Sequence, residues 1–367
     1  MPAPSAARQR MVSWDVLRVL SVLMVLAYHA TFIGPIVERV LQPRQINFPW
    51  QVGASSLLMI SAYFTAQSLS RADPWRFWWS RISRLLPPFV ASVLFTWVVL
   101  QLLAPDDWWR PTLKQLGGNL LMLWSVYPRD IGYIDGSYWT LPLQLMAFSV
   151  AAVLVACSWR SGRRLWLVLW SAVLVPLAQL PIRQHNPPEL YRIVVDTAGC
   201  HRMHLFVLGV ALWLWSTRRI GHLHGLALGS VCLVAHAVHT AVPGVGVDVG
   251  AVVGLAVVLV LACSAARGPD WGRLLPPAAQ VGVRWLAGIS YGVYLLHQTV
   301  GFLVMRWVNH LGAGPLLEVL SMTATSVLLG WLLTHFVERP ISRAARRWSP
   351  RPTAPKQAPR ETVGSSA

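Results

Sequence analysis

The chain has 367 residues, 55% of them hydrophobic and only 12% charged, with 20 Trp and a formal net charge of +17. A soluble domain of this size carries about a quarter charged residues, so this deficit and the positive mean hydropathy of +0.50 exclude an ordinary soluble fold and indicate a polytopic membrane protein. Cytosolic loop charge accounts for the basic excess, which removes the case for a nucleic-acid partner.

Residues 1–11 read as a short basic tail. Windows of about 20 apolar residues predict ten helices, at 12–33, 50–70, 85–104, 138–157, 164–181, 200–216, 222–242, 247–265, 285–308 and 314–336. The first lacks a small-residue cleavage site with a soluble domain behind it and is expected to be retained. The segment at 112–127 is short and bounded by Pro, which predicts an interfacial or re-entrant piece. With both termini inside, 21 of the 31 Lys and Arg fall on the inner side and seven in outer loops, as the positive-inside rule expects. The expected fold is therefore all-α: a ten-helix domain over 12–343 in the plasma membrane, then a disordered basic cytosolic tail over 344–367.

The first helix reads SWDVLRVLSVLMVLAYHAT and holds Asp15, Arg18 and His29. Ionisable groups inside a membrane segment are costly unless they face a protein interior or a wet cavity. Arg18 and His29 are eleven residues apart, on one face at depths differing by roughly 16 Å, and so mark two subsites along one path. An interfacial Asp15–Arg18 pair with a packed His29 is the plainer alternative. Arg81 and Arg84, in SRADPWRFWWSRISRLLPPF, share a helical face and offer planar donor forks suited to phosphate, or else to lipid headgroups. Further along, YIDGSYWTLPLQLMAF places Asp135, Ser137, Tyr138 and Trp139 at the outer mouth, with Gln144 inside.

His201, Arg202 and His204 open the sixth helix, and His236 and His239 repeat the histidine spacing in the seventh. Neither pair has the HExxH context or the added carboxylate of a metal site, so no metal is expected. Cys157, Cys200, Cys232 and Cys263 lack CxxC spacing and imply neither zinc nor a disulfide framework. Ser290, Tyr294 and His297 form one polar stripe in the ninth helix, and Glu338 in HFVERPISR can offset nearby basic groups. Walker, GxGxxG and GxSxG motifs are missing from the sequence, which leaves nucleotide hydrolysis and serine-hydrolase chemistry unsupported.

Six of these pieces, in order, resemble the acyltransferase-3 family of bacterial integral membrane O-acyltransferases: WDVLRVLSVLMVLAYHA, LLMISAYFTAQSL with FWWSRISRLLPPF, YWTLPLQLMAF, HLFVLGV, GISYGVYLLHQ and FVERP. The similarity runs from residue 12 to about 343. It implies transfer of an acyl group, often acetyl, from cytosolic acyl-CoA to a hydroxyl of a sugar or a glycosylated or polyketide-like product. Acyl-CoA is then a co-substrate, and no bound cofactor is expected.

The resemblance also ties Arg18 and His29 to activity and places Arg81 and Arg84 near the acyl donor. His29 is expected to act as general base; an acyl-His intermediate is equally compatible with the sequence. Tyr294 and His297 are expected to assist the developing oxyanion, with Asp15, Gln144, Trp139, His201 and Arg202 as supporting or acceptor-side residues. Gln144 stands where many members carry a carboxylate, and Ser61-Ala62 where many carry Ser-Gly. A transporter or flippase using the same polar residues as a substrate path is the alternative from another class.

Overall fold

The computed structural model describes residues 11–41, 44–69, 73–127, 130–159, 161–185, 187–196, 199–241 and 246–347. The tails expected at 1–11 and 344–367 fall outside these residues except for Met11 and residues 344–347. All regular elements among the described residues are helical. The first six long helices are α1 (Val12–Tyr28), α2 (Val52–Leu69), α3 (Pro74–Leu103), α4 (Leu113–Leu120), α5 (Thr140–Ala156) and α6 (Gly162–Ala178). They are followed by α7 (Met203–Ser216), α8 (His222–Thr240), α9 (Val249–Arg267), α10 (Pro277–Leu296), α11 (Thr299–His310), α12 (Pro315–Leu333) and α13 (Arg339–Arg347).

Each of the ten predicted segments is helical, and six stretches are long and apolar enough to cross a membrane: Val12–Val37, Pro74–Leu103, Gly136–Ala156, His222–Thr240, Val249–Arg267 and Pro315–Ala345. Helix α4 starts from a reciprocal cap between Thr112 and Gln115. Its eight residues extend only about 12 Å, too short to cross the hydrocarbon core.

Several segments differ from their predicted limits, and two of these departures bear on the site. Helix α3 begins eleven residues before 85 because Asp73 accepts the Arg76 N–H at 3.0 Å as N-cap and Pro74 sits at the first helical position, where its missing N–H costs nothing. It continues through Pro87 and Pro88, beside which the Tyr291 hydroxyl of α10 donates to the Leu85 carbonyl at 2.8 Å. The carbonyls that Pro87 and Pro88 leave without an N–H donor are those of Ser83 and Arg84; the Tyr291 bond falls on the next carbonyl and ties α10 to that turn. The ninth predicted helix is in fact two, α10 and α11, separated at His297 and Gln298.

Helix α1 packs on both α2 and α10, and α7 lies along α2. That last contact requires Gly209, where a Cβ would sit 2.1 Å from the Met59 carbonyl and 2.7 Å from the Ala62 Cβ. Small residues let membrane helices approach this closely, and Gly209 supplies the room that Ala62 takes up. The start of α1 is held from a distant loop, where Asp270 accepts the N–H groups of Val12 at 3.1 Å and Ser13 at 2.9 Å. At the opposite end, buried Arg44 pairs with Glu318, and Arg306 donates from Nη2 to both carboxylate oxygens of Asp107 at 2.7 and 2.8 Å and from Nη1 to Glu38 at 3.4 Å.

Candidate active site

Helix α1 changes to a π-turn at His29–Ile33, a wider winding that leaves one residue per turn out of the ordinary ladder and is frequent at functional sites. Side chains reach back across it: His29 Nδ1 lies 2.9 Å from the Val25 carbonyl, and the Thr31 hydroxyl donates to the Ala27 carbonyl at 2.7 Å. A carbonyl only accepts, so Nδ1 of His29 carries the proton and its Nε2 keeps the lone pair. His297 Nδ1–H likewise donates to the Tyr294 carbonyl at 2.7 Å, which leaves His297 Nε2 as an acceptor 3.2 Å from His29 Nδ1. The buried rings meet edge to face with centroids 4.6 Å apart.

Asp135 lies beneath this pair, fully buried and within electrostatic reach of His29. Its carboxylate accepts the N–H and hydroxyl of Ser137 and the Thr299 N–H at 2.9 Å. Asp135 therefore caps both the short turn Gly136–Trp139 and the start of α11, where the helix dipole favours an anion. Residue 297 lies where α10 stops, so the break that Asp135 holds open also presents the second histidine. The D-G-S turn signal was legible, but its distance from His29 was not.

Two cavities have neighbours of the pair on their walls, Tyr294 on one and Gln298 and Phe302 on the other, and neither is lined by His29 or His297 themselves. One, of about 190 Å³, is lined by Arg18, Arg81, Arg84, Gln144, Tyr294 and Glu338 among others. Arg81 and Arg84 also line a second space of about 490 Å³ with Arg76, Ser80, Ser83 and Ser342 on its walls. The other, of about 560 Å³, is bounded by Trp108, Tyr133, Gln298, Phe302 and Arg306. Phe302 also faces the His29 ring at 6.4 Å.

The arginines are held, each differently. Arg81 donates to the Phe64 carbonyl at 3.2 Å and to Ser68 at 2.7 Å, while Arg84 meets Glu338 at 3.1 Å. Glu338 thus offsets a basic group as expected, from a second π-turn, Thr334–Glu338. Arg18 lies 4.0 Å from Asp15 and over the Phe64 ring at 5.7 Å.

Arg18, Arg81, Arg84, Gln144 and Tyr294 thus share one cavity, and Tyr294 is three residues from His297 in the chain. The Tyr294 hydroxyl donates to the Ser137 carbonyl at 2.9 Å and accepts from Thr140 at 3.1 Å. It is committed to positioning the loop under the histidines, so assistance to an oxyanion would require breaking that bond. Trp139 stacks under Arg202 at 4.3 Å, while His201 belongs to a separate histidine group with His204, His236 and His239. Among the described residues no group of three or more His, Cys, Asp and Glu has the geometry to hold a metal ion.

A family model described as an acyltransferase domain matches residues 11–335 of the chain. No curated protein and no solved structure matches it.

Proposed function

The chain belongs to the acyltransferase-3 family, and from that premise we propose that it transfers an acyl group, acetyl being the expected one, from cytosolic acyl-CoA to a hydroxyl of a carbohydrate or a glycosylated or polyketide-like acceptor. Membership makes it a membrane enzyme that moves acyl groups and leaves the transport reading without support. Residues 12–343 act as one membrane domain in this reading, seated in the plasma membrane.

The observation that carries the proposal is the buried His29–His297 pair, with a cavity lined by Arg18, Arg81, Arg84 and Tyr294 and a second one lined by Gln298, Phe302 and Arg306 in its neighbourhood. Planar guanidinium forks suit the phosphates of the donor, whose thin arm then follows the narrow cavity inward. The acceptor enters by the cavity at Gln298 and Arg306. Its hydroxyl gives its proton to His29 Nε2 as the oxygen attacks the thioester carbonyl; the C–S bond breaks, and the departing thiolate takes the proton back. While His29 is an imidazolium, its Nδ1–H bonds to the Val25 carbonyl and His297 Nε2 become charge-assisted. The Asp135 carboxylate favours the same state, which lowers the cost of the proton transfer.

The test follows labelled acetyl-CoA in nanodiscs with a pool of hydroxyl acceptors. Wild type should consume the thioester and His29→Ala, folded to the same monodisperse state, should be slower by about 10² to 10⁴, the usual worth of a positioned base. Equal rates for the two proteins would remove His29 from the chemistry.

A further inference from the structure

A further cavity, of about 200 Å³, takes no part in acyl transfer as proposed. It runs between α2, α5, α6 and α7, lined by Ala66, Leu154, Leu165, Leu169, Phe206 and Val210 among others, and shares no wall residue with the arginine cavity. On α7 its wall extends at helical spacing from Met203 to Trp213, ten residues or roughly 15 Å of helix. Apart from Thr65, its hydrophilic side chains are Ser161 and Arg219, both exposed and both beyond helix ends, Ser161 before α6 and Arg219 after α7. Leu69, the last residue of α2, lines the same end. Its neighbour Ser68 receives Arg81 at 2.7 Å, so the mouth lies on the side that the charge count assigns to the cytosol.

The mouth is basic. Arg163 and Arg164 stand in the first turn of α6, and Arg218 and Arg219 follow α7. The sequence has no Asp or Glu at 39–72, 136–188 or 197–247, so none of the four helices carries a carboxylate to offset them. The Arg219 guanidinium lies over the Trp213 ring at 4.6 Å, and Trp213 is itself part of the cavity wall; stacking on a ring face leaves the N–H edge of the fork for an acceptor. Positive loops alone would satisfy the positive-inside rule. That rule does not require an apolar cleft running from the basic rim into the bundle, and basic pockets of this kind between membrane helices on the cytosolic side suit anionic lipid headgroups. The acyl donor has its own path, because α2 and α5 show different residues to the two cavities: Ser61 and Gln144 to one, Ala66 and Leu154 to the other.

We propose that this cavity is a site for one anionic phospholipid of the cytosolic leaflet, with an acyl chain in the cleft between α2, α5, α6 and α7 and the phosphate held at the rim by Arg219. The inference is independent of the transfer reading.

The test titrates the full chain, delipidated in detergent, with phosphatidylglycerol and with phosphatidylcholine of the same acyl chains, and counts bound lipid by native mass spectrometry. The variants are Arg219→Gln at the rim, Ala172→Phe in the half-buried wall on α6 and, as the control, Arg273→Gln, exposed in a turn that lines none of this cavity. Wild type and Arg273→Gln should hold a single phosphatidylglycerol about tenfold or more tightly than phosphatidylcholine. Arg219→Gln should bring the two lipids to within about threefold of each other, and Ala172→Phe, folded to the same monodisperse state, should weaken phosphatidylglycerol about tenfold by filling the cleft. Because Arg219 is exposed, its variant decides the case even where Ala172→Phe does not fold. Equal binding of the two lipids by wild type, an undiminished preference in Arg219→Gln, or undiminished binding in folded Ala172→Phe would overturn the inference. Competition by glycerol 3-phosphate as strong as by the whole lipid would also overturn it, since the cleft would then contribute nothing, and tighter binding of palmitoyl-CoA than of phosphatidylglycerol would give the cavity to a long-chain donor instead.

Discussion

Two ring nitrogens of His29 have different surroundings, and that difference assigns their roles. Nδ1 is committed to the Val25 carbonyl and His297, which leaves Nε2 as the nitrogen that the proposed transfer uses. The residue itself was legible, because an imidazole in an apolar span calls for an explanation; its partner 268 positions away was not. Arg84 offers a cleaner test of donor binding, since its side chain is 63% exposed and its loss leaves no hole in the core. Arg84→Ala should raise KM for acetyl-CoA about tenfold with a smaller change in kcat, in keeping with one charge-assisted contact of about 1.5 kcal/mol. The effect should shrink as salt rises, because a solvent-exposed charge is screened. An unchanged KM in Arg84→Ala would move the donor phosphates elsewhere.

At the scale of elements, the departures from regular helix carry the candidate chemistry. His29 opens a π-turn, Glu338 closes another, and His297 stands where α10 ends. Hydropathy does not register such irregularities, because a broken helix and a straight one share the same apolar composition; irregular backbone inside a membrane persists where protein or a cavity satisfies its polar groups. The start of α1 depends on a loop contact of the same kind. Burial raises the Asp270 carboxyl, but hydrogen bonds from Ser13, Val12 and Gly272 outweigh it and hold the group below the ordinary carboxylate range. A depressed folded-state pKa means the stabilisation is fully present above the unfolded value near 3.9 and is lost as pH falls through the lower folded value. Asp270→Ala should therefore cost about 1 kcal/mol at pH 7, as loss of a helix cap does. Its thermal stability in detergent should fall less steeply than wild type's as the solution is acidified below about pH 4; parallel acid curves would show that the cap contributes nothing.

For the whole molecule, the arrangement of charge predicts sidedness. Arg81, Arg84 and Glu338 gather at one end and Glu38, Asp107 and Arg306 at the other, and the charge count assigns the first end to the cytosol. In a cysteine-free background, Ala345→Cys should react with a membrane-impermeant thiol reagent only after permeabilisation, and Trp109→Cys should react in intact cells. The reverse pattern would invert the orientation and with it the paths assigned to donor and acceptor. The sequence by itself determined the helical membrane class and singled out Arg18, Arg81, Arg84 and His29 as candidates, because hydrophobic transfer and the cost of intramembrane charge act locally along the chain. Only the tertiary structure decided that α3 runs through its prolines, that the ninth segment breaks at His297, that Asp135 stands near His29 and that Trp139 lies under Arg202. Those outcomes go with contacts from elsewhere in the fold: the Tyr291 hydroxyl at Leu85, the Asp135 carboxylate at Thr299 and the Trp139 ring under Arg202. Pairings of that kind are fixed by which helices pack together, and one-dimensional periodicity records the face of a helix but not its neighbour.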